Sequence, residues 1–254
     1  MRRIAHLTDI HLDDRLAIAH SVDTRGHLRA VLADITRRSI TEAVLTGDLG
    51  EPETIDWLFA ALSEAGIDCR VILGNHDDPA DYRNRPALRP FFHGEGCYWA
   101  DAGDGFLKLY LDSREGFIGP EQFDWISARC AGADRPLLIF IHHPVLDCGN
   151  TTMDRLFPLE GRDALRDLFL SVPQPVTIVC GHYHAAHETR LGNITQYVTP
   201  STYLQLKKHG EFLEMDGVAF GYRLLELEDG FLHTATVQLA DGLAQAQGMP
   251  QNPG

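Results

Sequence analysis

Five short clusters in the 254-residue chain bring carboxylate, imidazole and amide side chains together: Asp9-x-His11, Gly47-Asp48, Gly74-Asn75-His76-Asp77, His142-His143 and Gly181-His182-x-His184. Oxygen and nitrogen donors of these kinds suit Mn, Fe, Zn or Ni better than soft, thiophilic metals. The glycines permit a tight exit from an element and a close approach of backbone. Any one cluster by itself is an ordinary turn: Asp-x-His commonly faces solvent, Gly-Asp commonly ends a strand, and His-x-His alone is a weak ligand signal. Their order, each at the end of an apolar segment, points to a metal centre.

Those apolar segments must position the clusters. Residues 4–7, 42–46, 69–73, 137–141 and 176–180 read as short buried strands, and each runs into one of the five clusters. Between the first three lie two helical patterns. One covers 23–38 through Leu28, Val31, Leu32 and Ile35; the other runs through Trp57, Leu58, Ala61 and Leu62 and ends at Gly66. Strand–helix–strand–helix–strand predicts a parallel sheet, and in open α/β sheets sites form at the carboxyl ends of strands. Further on, 98–101 and 106–111 read as strands joined by a glycine-rich turn, 120–130 as a helix opened by Pro120, and 162–170 as another helix. Residues 78–89 and 145–159 read as long loops, the first with one helical turn. Three alternating strands follow at 194–198, 222–227 and 232–237. Residues 241–254, rich in Ala, Gln, Gly and Pro, predict a disordered tail. With no repeat and no linker, residues 1–240 are expected to form one domain.

Composition narrows the function. Hydrophobic residues make up 44% and charged residues 23%, enough to build a globular core without staples. A net charge of −14 excludes long nucleic acid as partner, which needs a basic stripe. It leaves small anions open, because bound cations reverse the local field. No apolar run is long enough to span a membrane, and the N-terminal segment is too short and too polar for a signal peptide. A cytoplasmic location and no membrane partner are therefore expected. The five cysteines are scattered without a CxxC pair, which indicates neither a zinc ribbon nor a disulfide framework; most are expected to be buried. Thirteen histidines are the unusual feature.

Taken in order, D-x-H…G-D…G-N-H-D…H…G-H-x-H over residues 9–184 resembles the calcineurin-like metallophosphoesterase superfamily. His142-His143-Pro144-Val145, Cys148-Gly149, Met153-Asp154 and Thr199-Pro200-Ser201-Thr202 are similar to class III cyclic nucleotide phosphodiesterases and to glycerophosphodiesterases within it. The resemblance implies an α/β (α+β) fold, a four-layer αββα sandwich of two mixed β-sheets flanked by helices. It also implies a hydrolase with two divalent or trivalent metal ions, Mn, Fe or Zn. Asp9, His11 and His184 would hold one, Asn75, His142 and His182 the other, and Asp48 would bridge them. His143 is the less favoured of its pair, since the family ligand stands two residues before the proline. A hydroxide held between the metals would attack phosphorus. His76 would face the phosphate, stabilising charge or protonating the leaving group, and Asp77 would either orient His76 or serve a turn or helix cap. The implied substrate is a small phosphodiester, a cyclic nucleotide such as cAMP or a glycerophosphodiester. A phosphomonoesterase or protein phosphatase, and a non-catalytic metal-binding scaffold, are the alternatives. Relatives of this kind also imply a homo-oligomer, though no interface is marked. His6, His20, His27, His93, His187 and His233 are expected to serve packing or surface, and His209, near Lys207 and Lys208, a solvated loop.

Overall fold

The structure, a computed structural model, describes residues 1–92, 96–217, 219–240 and 243–246. His93 and residues 241, 242 and 247–254 of the expected tail lie outside the described residues. Two mixed sheets of six strands form the middle of the molecule. The first has the order β12-β11-β10-β1-β2-β3, with β1 Arg2–Leu7, β2 Glu42–Thr46, β3 Asp68–Ile72, β10 Phe220–Glu228, β11 Phe231–Ala240 and β12 Leu243–Ala246. The second has the order β4-β5-β6-β7-β9-β8, with β4 Trp99–Gly103, β5 Phe106–Leu111, β6 Leu137–Ile141, β7 Val176–Cys180, β8 His187–Leu191 and β9 Ile194–Val198. Strands β1, β2 and β3 are parallel, as their helical crossovers require, and so are β5, β6, β7 and β9.

Period-two alternation sorts the side chains into layers. On β1, Ile4 faces the other sheet while Ala5 and Leu7 face the helices; on β6, Leu138 and Phe140 face inward while Leu137, Ile139 and Ile141 face out. The interlayer is thus Ile4, Val44, Ile72, Phe106, Tyr110, Leu138, Phe140, Val179, Leu225 and Leu227. Outside the first sheet, α2 (Thr24–Arg37) and α3 (Ile55–Glu64) bury Leu28, Val31, Ile35, Leu58 and Leu62. Outside the second, α5 (Pro120–Ala131) and α7 (Arg162–Ser171) bury Ile126, Leu165 and Phe169. Burying each such side chain stabilises by about 1.5–3 kcal/mol, so both sheet faces hold their helices firmly. Four of the five cysteines are buried free thiols, and Cys69 is half-buried.

Three short helices sit in segments without helical periodicity. They are α1 (Arg15–Ala19), α4 (Pro79–Tyr82) and α6 (Met153–Leu156). Asp14 caps α1 by accepting from Leu16 N, and Asp78 caps α4 by accepting from Ala80 N. The α4 turn falls in the 78–89 loop where one turn is expected; α6 falls in the 145–159 loop, and α1 lies in a stretch the sequence leaves unassigned. Strand β8 was also missed, because HETRL carries little apolar signal on an edge. Leu243–Ala246, inside the stretch expected to be a tail, pairs antiparallel with β11. Among the described residues no helix is long and apolar enough to cross a membrane.

Candidate metal centre

The carboxyl ends of β1, β2, β3, β6 and β7 meet at one edge of the sandwich, and the five clusters meet with them. Ligand atoms of Asp9, His11 and His184 lie within 4.8 Å of one another, as do those of Asp9, Asp48 and His142, and those of His142, His143 and His182. Asn75 Oδ1 lies 3.0 Å from His142 Nε2. Asp48 Oδ2 lies 3.5 Å from His11 Nε2 and 3.4 Å from His142 Nε2, between the two halves of the cluster.

The backbone bends sharply to deliver these groups. Asp9, His11, Asp48, His182 and His184 all have left-handed φ angles, between 47° and 66°. Such residues cost on the order of 1–3 kcal/mol each and persist only where their surroundings hold them. Here Ile10 N and His11 N both donate to Asp48 O at 2.8 and 2.9 Å, and Gly181 N donates to His142 O at 3.0 Å. His182 N donates to the Asp9 carboxylate at 2.9 Å. The three cluster glycines are required by close approach: a Cβ on Gly47, whose φ is +95°, would stand 2.0 Å from Gly74 N. A Cβ on Gly74 would stand 2.2 Å from Asp48 Oδ1, and one on Gly181 would stand 1.9 Å from Thr8 Oγ1 and 2.6 Å from Asp9 Oδ2.

Hydrogen bonds fix which nitrogen of each ring faces inward. His11 Nδ1 is 3.0 Å from Asp14 Oδ2, His142 Nδ1 2.7 Å from Thr46 O, His184 Nδ1 3.1 Å from Leu204 O, and His182 Nε2 3.0 Å from Phe157 O. A carbonyl or carboxylate can only accept, so these outer nitrogens carry the proton, and in the neutral ring the inner ones present bare lone pairs. His11 Nε2 and His184 Nε2 then face each other at 3.3 Å as two acceptors, and His142 Nε2 faces the Asn75 oxygen likewise. Lone pairs converging on lone pairs and on two carboxylates are a donor set built for cations, with outer partners of the kind that orient metal-bound histidines. The donors fit metals that accept imidazole, carboxylate and amide oxygen together.

The electrostatics show a demand for positive charge between the two carboxylates, which a proton on His142 or a cation can meet. Burial raises Asp9 and Asp48, but the surrounding imidazoles outweigh it and hold both carboxyls below the usual range. Burial lowers His142, yet the Asp48 charge wins and pushes it up to about 9. His182, buried beside His142 and farther from a carboxylate, is pushed down to about 3.

The remaining sequence candidates fall into place unevenly. His143 reaches the cluster, with its Nδ1 on Ser113 Oγ at 2.9 Å. His76 donates its backbone N–H to Asp48 Oδ1 at 2.9 Å, and its exposed ring meets His11 edge-on at 5.2 Å. Asp77 does not orient His76. Its buried carboxylate accepts from Asp48 N (2.7 Å), Leu49 N (2.9 Å) and Gly74 N (2.8 Å), tying the β2 and β3 exits together, while Asp78 rather than Asp77 caps the helix. Burial and the Asp48 charge push Asp77 up to about 7, against the pull of its N–H donors. Sequence reasoning missed Asp14 and the carbonyls of Thr46, Phe157 and Leu204. Carbonyls carry no sequence signal, whereas an acid three residues after His11 could have been weighed.

A cavity of about 610 Å³ opens directly off the cluster. Its floor includes His11, Asp48, Asn75, His182 and His184, with His76 and His20 beside them; its walls include Leu16, Met153, Phe157, Leu206, Leu213 and Met215. Among the described residues no Lys or Arg lines it. A second groove, about 710 Å³, lies away from this edge between α2 and α3.

Comparison with known proteins follows this geometry. The calcineurin-like phosphoesterase family model matches residues 2–186. A probable cyclic nucleotide phosphodiesterase of Fibrobacter succinogenes is 26% identical over 235 residues, covering 91% of this chain and 92% of that protein. The 3',5'-cyclic adenosine monophosphate phosphodiesterase of Escherichia coli is 29% identical over 262 residues, covering 94% and 90%. Among solved structures, a dimetal phosphatase from Danio rerio superposes with a TM-score of 0.68 at 12% identity, covering 93% of this chain and 95% of that one.

Proposed function

The chain belongs to the calcineurin-like phosphoesterase family of metal-dependent hydrolases, and from that premise we propose that it is a binuclear phosphodiesterase acting on a small diester, a cyclic nucleotide such as cAMP or a glycerophosphodiester. The observation that carries this reading is the cavity wall. A diester bears one negative charge and two organic groups, whereas a monoester near neutral pH bears close to two charges and one organic group. Apolar walls beside the cluster suit the organic groups, and among the described residues no Lys or Arg lines the cavity to meet a second charge. The names carried by the relatives from Fibrobacter succinogenes and Escherichia coli support the same reading.

Asp9, His11 and His184 would hold one cation, Asn75, His142 and His182 the other, with Asp48 between them. When bound, two such cations acidify a shared water and neutralise phosphate oxygens. The chain supplies the rest. Asp14, Thr46 O, Phe157 O and Leu204 O hold the four imidazoles in orientation. The ring of His76, which lines the cavity, would give a proton to the departing ester oxygen.

The test is hydrolysis of bis(p-nitrophenyl) phosphate against p-nitrophenyl phosphate, with Mn²⁺ added, for wild type and Asn75→Ala. Diesterase activity dominates in the wild type and falls in the variant on this reading. Dominant monoesterase activity would overturn the diester assignment, and binding of Mn²⁺ without hydrolysis of diesters, cAMP included, would leave a metal-binding scaffold.

A further inference from the structure

The segment Thr199-Pro200-Ser201-Thr202 takes no part in the chemistry above, and neither does the buried His6. Both lie directly beneath the metal centre. His6 on β1 is fully buried at an inward-facing position, next to Arg223 in the register of β1 and β10. Its Nδ1 is 2.6 Å from Thr199 Oγ1, across the gap at the end of β9, and its Nε2 is 2.9 Å from Thr46 Oγ1. Thr46 is the residue whose carbonyl accepts from His142 Nδ1. On the other side, Arg223 Nε donates to Thr199 Oγ1 at 3.3 Å, and its two terminal nitrogens donate to Val198 O at 2.9 Å and Thr234 Oγ1 at 3.3 Å. Arg223, 5% exposed, thus bonds only neutral acceptors.

The same segment grips both halves of the cluster. Ser201 Oγ donates to Asp9 O at 2.8 Å, and Leu204 O, two residues past Thr202, holds His184 Nδ1. A histidine and an arginine in a layer built largely of residues such as Ile4, Val44, Phe140 and Leu225 are expensive, and apolar side chains would be cheaper for stability alone. Their placement makes sense in terms of what the two sheets must do together. Asp9, His11, Asp48 and Asn75 follow strands of the first sheet; His142, His182 and His184 follow strands of the second. The separation of the two halves of the donor set is therefore the register of one sheet against the other.

We infer that His6, Thr199 and Arg223, with Ser201, form an inter-sheet clamp that sets this register and so positions the metal ligands of both sheets. The inference rests on the metal reading given above. Burial and the Arg223 charge push His6 down to about 3, which keeps it neutral, one nitrogen donating and the other accepting.

The test uses the full chain with Thr199→Val, which removes the shared hydroxyl at nearly constant volume, Thr199→Ser, which restores it, and Arg223→Met. Mn²⁺ affinity and stoichiometry are measured by competition with a chelating dye, at a temperature where circular dichroism shows every variant folded in EDTA. Thr199→Val and Arg223→Met are expected to bind at least one ion about 10–100-fold more weakly, the usual effect of losing a ligand's support, and Thr199→Ser to recover most of the loss. If Thr199→Val does not fold, Arg223→Lys, which keeps the charge and loses the fork, is read in the same way. Wild-type affinity and stoichiometry in both Thr199→Val and Arg223→Met, or an equal loss in Thr199→Ser, would overturn the clamp alone. A wild-type chain that binds no Mn²⁺ would overturn the metal reading and the clamp with it.

Discussion

Each imidazole at the centre enters with its outer nitrogen engaged, and the partners differ in kind. Three are backbone carbonyls, which no side-chain substitution removes; the fourth is Asp14, which accepts from His11 through one oxygen and caps α1 through the other. Asp14→Ala therefore releases a ligand and a helix end at once. We expect Mn²⁺ affinity about 10–100-fold lower and stability lower by about 1 kcal/mol from the lost cap, with turnover at saturating Mn²⁺ close to wild type. Equilibrium metal titration beside steady-state kinetics checks this, and unchanged affinity would mean that His11 needs no such support. His76 poses the opposite case. Its ring makes no hydrogen-bond link to the donor set, so His76→Ala should leave two Mn²⁺ per chain in metal analysis. Loss of a positioned proton donor should still lower kcat by about 10²–10⁴-fold. Wild-type kcat in that variant would remove His76 from the reaction.

At the scale of elements, one buried carboxylate joins α2 to the first sheet beside its apolar contacts. Asp34, 1% exposed, accepts from Tyr222 on β10 and from Arg38 at 2.7 Å each, and from Arg37. Burial raises this carboxyl, but the Tyr222 hydroxyl and the two arginines outweigh it and hold it below its usual 3.8. A depressed carboxyl adds stability that is present above its unfolded value and lost as pH falls through the folded one. Asp34→Asn should cost about 1–3 kcal/mol at pH 7, and the gap between variant and wild type should begin to narrow below about pH 4 as the carboxyl takes up a proton. Urea midpoints of both proteins from pH 7 to pH 3 measure it; a gap that stays constant would assign the cost to shape instead of charge. Elements also show what the sequence could tell. The β1, β2, β3, β6 and β7 strands were legible because each is a short apolar run stopped by Gly, Asp or His, and that same punctuation marked Asp9, Asp48, Asn75, His142 and His182. The pairing of β10 with β1, some 220 residues away, was not legible, since nothing local to either strand records its neighbour. The short helices α1 and α6 were hidden because four or five residues are too few for a helical period to register. The sequence leaves Asp77 between two roles for a related reason: its partners at Asp48 and Leu49 are distant in sequence, and only the fold brings them near.

The molecule as a whole is two halves joined through an apolar interlayer, with the donor set spanning the seam at one end. Cations that bind both halves would act as a staple between the sheets, because the unfolded chain does not hold the donors together. Binding only the folded state stabilises by about 2.7 kcal/mol per site when free metal exceeds Kd a hundredfold, so two sites supply roughly 5 kcal/mol. For a chain of this size 1 kcal/mol moves the melting point by about 2–4 °C, which places the expected rise between Mn²⁺ and EDTA at roughly 10–20 °C. Asp48 lies between the inner nitrogens of His11 and His142, so Asp48→Asn should lose most of that rise while keeping the EDTA melting point near wild type. Differential scanning calorimetry of both proteins, with Mn²⁺ and with EDTA, reads the four values. A rise of full size in Asp48→Asn would mean that the cations bind without Asp48. No rise in the wild type would mean that the converging lone pairs at the sandwich edge hold protons and not metals.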